Sequence, residues 1–126
     1  MPKGNAAKTN TLTDRLLDGT HYLALFTTNP GADGSGTEAG YAGYTRRPII
    51  FGSPAINGAV AEIKNTNLIE FTIVPSGGSG SIAYCAIMES SSGNTVIYYG
   101  PLGATYTLLT GVKPTVPIGS LTITEN

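Results

Sequence analysis

The chain has 126 residues and a formal net charge of −1, and only 12% of its residues are charged, about half the usual ~25%. Seventeen glycines and eight prolines, with abundant Thr, Ser and Asn and few helix-favouring charged residues, point to one β-rich domain with many tight turns. Seven scattered Lys and Arg form no basic stripe for nucleic acid, no apolar run approaches the ~18 residues that span a bilayer, and one histidine with one cysteine leaves few parts for a metal centre or a catalytic triad.

Residues 1–10 are polar and aperiodic and read as a flexible N-terminal arm carrying Lys3 and Lys8. The opening MPKGNAAKTNT lacks the apolar stretch of a secretory signal. Residues 11–18, TLTDRLLD, predict a short helix. Thr11 or Thr13 can cap it, Leu12, Leu16 and Leu17 share an apolar face, and Gly19 is placed to stop it. At two turns it needs something to dock on.

From His21 the period changes to two. HYLALFTT has apolar residues on both faces, which predicts a central strand ended by Asn29-Pro30. Residues 29–43 form a long Gly-rich loop, of a length that is usually functional or mobile. Tyr44–Phe51 predicts a strand with Pro48 inside it, hence an edge or bulged one. Ala59–Ile63 follows the Asn57-Gly58 turn, and Asn65-Thr66-Asn67 breaks the chain. Leu68–Val74 alternates Ile69, Phe71 and Ile73 against Glu70 and Thr72, the pattern of a half-buried strand. After the Pro75–Gly80 loop, Ile82–Glu89 and Val96–Tyr99 form a hairpin about the SSSGN turn. Three short strands follow at 105–109, 112–116 and 119–124. About eight strands at this spacing predict an all-β, single-domain antiparallel sandwich or jelly roll over 11–126, with its short helix at the front.

The chemical inventory is thin. His21 could act as a base, but no nucleophile or orienting carboxylate is spaced for it, and the plainer reading is a residue at a strand start. Cys85 sits mid-strand among apolar residues and reads as core packing. As the one cysteine it permits no intrachain disulfide, which suits synthesis in a reducing cytoplasm. Asp33 to Glu38 places oxygen ligands at alternate positions, a faint likeness to a calcium loop that lacks further acidic ligands. Glu62, Glu70 and Glu89 lie on predicted strands, but nothing pairs them across a cleft as a glycosidase requires.

Arg46-Arg47 is the one basic doublet. It can anchor acidic groups of a protein partner, or its side chains can point to opposite faces of a strand, one against a neighbour and one in solvent. Seven tyrosines, including Tyr41, Tyr44, Tyr98 and Tyr99, suit protein interfaces, and with no tryptophan any sugar-stacking platform would rest on them. So few surface charges fit a chain that lives in an assembly.

The ordered set LLDGTHYLALFTTNP, GSGTEAGYAGYTRRPIIFG, NTNLIEFTIV, IAYCAIMESSSGNTVIYYGPL and PIGSLTIT resembles a family of small tailed-phage virion proteins, variously labelled head decoration, cement or tail-fibre-like. The resemblance covers residues 11–124 and implies a jelly-roll-like domain without catalysis or cofactor. Within that resemblance the first expectation is a capsid decoration protein, made in the host cytoplasm and bound outside the assembled head. There a dimer or trimer would bridge neighbouring copies of the major capsid protein, with no nucleic-acid or membrane partner. The alternative is a tail-fibre or tail-tip module for receptor or glycan binding. The arm, the Gly-rich loop and the start of the strand after it supply the candidate contacts: Lys3, Lys8, Asp33, Glu38, Tyr41, Tyr44, Arg46 and Arg47.

Overall fold

Helix α1 spans Asn5–Leu16, so residues 5–10, expected as part of a flexible arm, are helical. Ala6, Ala7 and Lys8 are good helix formers. The hydroxyls of Thr9, Thr11 and Thr13 bond back to carbonyls one turn earlier, at Asn5, Ala7 and Thr9, which lets threonines sit mid-helix. Gly4 is the N-cap, in extended conformation and without a side-chain cap, which is why no capping signal marked this start. The helix ends where the Leu17 amide donates to Thr13 O, before Gly19. Leu12 and Leu16 are buried, whereas Leu17 is exposed.

The computed structural model describes residues 1–78 and 80–126; Ser79, part of the expected Pro75–Gly80 loop, lies outside the described residues. They form a mostly β protein with antiparallel ladders and the one helix. The residues group into two compact units, each assembled from segments distant along the chain.

The first unit contains Met1–Thr20, Ile49–Ile69 and Val116–Asn126. Its sheet has the order β3-β4-β9, with β3 at Ala55–Asn57, β4 at Val60–Lys64 and β9 at Thr122–Glu125. The β3–β4 hairpin turns at Asn57-Gly58, where Gly58 adopts a φ of 65°. Ala61 and Ile63 are buried, and Ile63 stands opposite buried Ile123. Helix α1 lies on this sheet, chiefly on β4.

The second unit contains His21–Pro48 and Glu70–Thr115. Its sheet has the order β2-β1-β6-β7, with β1 at His21–Phe26, β2 at Arg47–Ile49, β6 at Ser81–Met88 and β7 at Val96–Thr107. Strand β1 is internal, as its two apolar faces predict, and all its residues but Tyr22 are buried. Ala24, Phe26, Ala86 and Met88 form a core cluster, with Tyr84 and Val96 packed on it. Strand β7 joins two expected strands. Its pairing passes from Tyr84↔Pro101 to Ile82↔Tyr106, so the residues between Pro101 and Tyr106 bulge from an outer strand that tolerates a proline.

Two expected strands shrink. Tyr44–Phe51 is regular only in β2, because Tyr44 and Arg46 turn their side chains to bonds described below. Leu68–Val74 is regular only at β5, Ile69–Glu70, which pairs with β8, Thr115–Val116. Beyond β5 the alternation slips. Ile69, Phe71 and Val74 are buried and Ile73 is exposed, since the Phe71 and Val74 amides bond to Pro114 O and Val112 O.

Candidate functional site

The Gly-rich loop after β1 is a built structure. Thr27 N–H donates to Thr37 O and Ala39 N–H to Leu25 O, both at 2.8 Å, so residues 37–39 run beside β1. Asn29 Oδ1 accepts from Gly31 N–H and Asp33 Oδ1 from Ser35 N–H, two side-chain-closed turns. Two glycines are required by close approach. A Cβ at Gly36 would lie 2.4 Å from Asn29 O, and one at Gly34 would lie 2.5 Å from Asn94 O.

Glu38, Tyr44 and Arg46 form the centre of this loop. Arg46 grips Glu38 as a fork, Nε to Oε2 and Nη2 to Oε1, both at 2.9 Å. Arg46 also donates from Nη1 to Ser90 O at 3.1 Å and from Nη2 to Gly93 O at 2.7 Å, which ties the loop to the β6–β7 turn. Tyr44 O–H donates to Glu38 Oε2 at 2.6 Å and accepts the Leu25 N–H at 3.0 Å. The Arg46 side chain is 7% exposed. Burial alone would raise the Glu38 pKa, but hydrogen bonds from Arg46 and Tyr44 outweigh it and hold the carboxyl below its ordinary range. Burial and the Glu38 bond push the Tyr44 hydroxyl far up. The Tyr44 ring stacks on Phe71 at 6.0 Å and meets Tyr41 edge-on at 5.6 Å, while Tyr41 O–H donates to Thr72 O at 2.7 Å.

The eight candidate contacts therefore divide. Glu38, Tyr41, Tyr44 and Arg46 come together, but their polar groups bond inside the fold. Asp33 is exposed, and its carboxyl is held below the ordinary value by Ser35. Lys3 pairs with Glu125, and Lys8 Nζ donates to Ala59 O. That leaves Arg47. Arg46 turns inward to its bonds, whereas the neighbouring Arg47 is exposed. It enters an open cleft of about 370 Å³, with Glu70, Phe71, Thr72, Ile73 and Lys113 as the other lining residues. Of these, Glu70 lies on the polar side of the expected Leu68–Val74 strand. Lys113 carried no signal, because nothing in the sequence places it beside Arg47. The other polar groups considered stand apart from this cleft. His21 is 3% exposed, burial raises the Cys85 pKa, and Glu62 pairs with Lys64. No helix among the described residues is long and apolar enough to cross a membrane.

The protein is thus a charge-poor, turn-rich β architecture whose loops are clamped by its own side chains. Residues 8–124 match the family model described as "Podophage GP4 fiber I protein gp80", and the chain belongs to that family. It is thus a structural protein of the tailed-phage particle, in line with the resemblance read from its motifs. No curated protein matches the sequence.

Proposed function

We propose that this chain is a non-catalytic subunit of the phage tail fibre, joined to other virion proteins and to copies of itself through its exposed surface. The carrying observation is that a family described as a fibre protein matches nearly the whole chain, 8–124. Surface chemistry supports assembly. Ile118, Ile50 and Leu109 are 65%, 61% and 57% exposed in a chain with few charges to oppose association. Rigid, side-chain-clamped loops suit a part that must keep one shape under load. An enzyme reading has little to draw on, because His21 is buried, Cys85 lies within a strand and Glu62 is paired with Lys64.

Copy number per purified particle, measured by mass spectrometry against the major capsid protein, tests this. A few to some tens of copies, with antibody label at the tail, is the expected result. Hundreds of copies in simple ratio to the capsid subunit, with label over the head, would replace the fibre by a decoration protein bound to the major capsid protein.

A further inference from the structure

We infer that the cleft at Arg47 is a docking surface for a protein segment bearing a carboxylate flanked by aliphatic side chains. The inference rests on the chain being a virion component. Among the described residues, Arg47 is the one basic side chain that makes neither a hydrogen bond nor an ion pair. Its neighbour Arg46 is fully engaged by contrast, so the doublet is divided between holding the fold and facing outward. The second cation of the cleft, Lys113, lies 3.8 Å from Glu70, and both side chains are about half exposed, at 50% and 47%. Pairs this exposed are weak and exchange partners readily. The cleft thus offers Arg47 as its unpaired cation, beside a loosely paired Lys113 and Glu70, which leaves it net positive toward a carboxylate.

Beside these charges lies aliphatic surface. Ile73 lines the cleft and is 47% exposed. Val74 N–H donates to Val112 O, Gly111 N–H to Val74 O and Val112 N–H to Leu109 O, so the 109–112 turn is bound next to Ile73. Val112 and Leu109 are 40% and 57% exposed. Arginine beside exposed aliphatic side chains is the make-up of a protein interface, where the guanidinium fork fixes a carboxylate and the apolar surface supplies contact. A sugar-binding groove would instead present aromatic faces, but Phe71, the aromatic residue that lines the cleft, is buried.

The test uses phage whose own copy is replaced by variants, with copies per particle as the readout. Arg47→Glu is expected to lower incorporation at least tenfold. Arg47→Lys should lower it less, since a point charge replaces the fork. Lys64→Glu, outside the cleft, should incorporate as the parent does. Arg47 is exposed, so Arg47→Glu should melt as the parent does. Should it not, Lys113→Glu decides the question from a different segment. Unchanged incorporation of folded Arg47→Glu would overturn the proposal. Unchanged incorporation with lost adsorption to host cells would also overturn it, and would assign the cleft to an acidic sugar. Whether the parent protein labels the tail or the head is read separately and judges the fibre assignment alone.

Discussion

In the first unit, three loops meet at Asn65, which is 1% exposed. Its Nδ2 donates to Asn67 O at 2.8 Å and Pro117 O at 3.1 Å, and its Oδ1 accepts the Leu121 N–H at 3.0 Å. In the second unit, Glu38, Tyr44 and Arg46 do the corresponding work for the 29–46 loop and the β6–β7 turn. Both hubs hold glycine- and proline-rich loops in a chain that has no disulfide to do so. One is a neutral amide matched to backbone groups, and the other is an ion pair with a hydroxyl between the charge and the sheet. An amide holds at any pH, whereas a carboxylate hub holds only while ionised. Burial sets how much each contributes, and chemistry sets which conditions release it.

Asn65→Ala should break the comparison most severely, at about 3 kcal/mol, because three bonds vanish and buried backbone groups are left without partners. Denaturant unfolding measures the loss. Hydrogen exchange should rise at 50–52, 65–69 and 117–121. Arg46→Ala should cost about 2 kcal/mol. Removing one member of a buried pair typically costs ~3–5 kcal/mol, and partial exposure of Glu38, at 25%, lowers that figure. Here exchange should rise at 37–39 and 90–94. If either variant loosened both sets of segments equally, the two hubs would not be separate devices.

Acid sharpens the comparison. The folded pKa of Glu38 is depressed, so its contribution is present above the unfolded value of ~4.3 and is lost as pH falls through the lower folded value. Stability should therefore fall below about pH 4 in the parent protein, and the slope should flatten in Glu38→Gln. Asn65→Ala should keep the parental slope from a lower starting stability. Asp33 is also depressed and titrates in the same window, so Asp33→Asn serves as the control that isolates Glu38. Tyr44→Phe comes next, at about 1 kcal/mol: it removes one donor to Glu38 and the acceptor for Leu25 N–H, but keeps the ring stacked on Phe71.

The sequence made the second unit far more legible than the first. Strand β1 is apolar on both faces and β6 is a near-continuous apolar run, so period alone located both. The helix start was hidden because Gly4 caps with its backbone conformation only, and because threonines look unfit for a helix until their hydroxyls bond back. Asn65 read as a chain breaker, since no local pattern says that its amide meets residues 117 and 121. The Glu38, Tyr44 and Arg46 cluster was found, but as a partner surface. Residue type shows that a group can bond, and only the fold shows that its bonds are already made. Arg47 stayed available because the bonds to Glu38, Ser90 and Gly93 are all made by Arg46. Lys113 was invisible because its proximity to Arg47 depends on how residues 71–74 pair with 112–114.

Lys3→Ala is the smallest expected effect and the one that separates charge from placement. Lys3 pairs with Glu125, but its side chain is 42% exposed, against 7% for Arg46. It joins one residue before the helix to the end of β9 and bonds no loop backbone. An exposed pair of long side chains contributes ~0–1 kcal/mol, because water competes for both ions and ordering them costs entropy. Lys3→Ala should therefore shift stability by about 0.5 kcal/mol or less, and 0.5 M salt should abolish the difference from the parent. Arg46→Ala should remain about as costly in salt as without it. A Lys3 effect as large as that of Arg46 would mean that opposite charge alone holds this chain together. The contrast between the hubs would then reduce to a count of ion pairs.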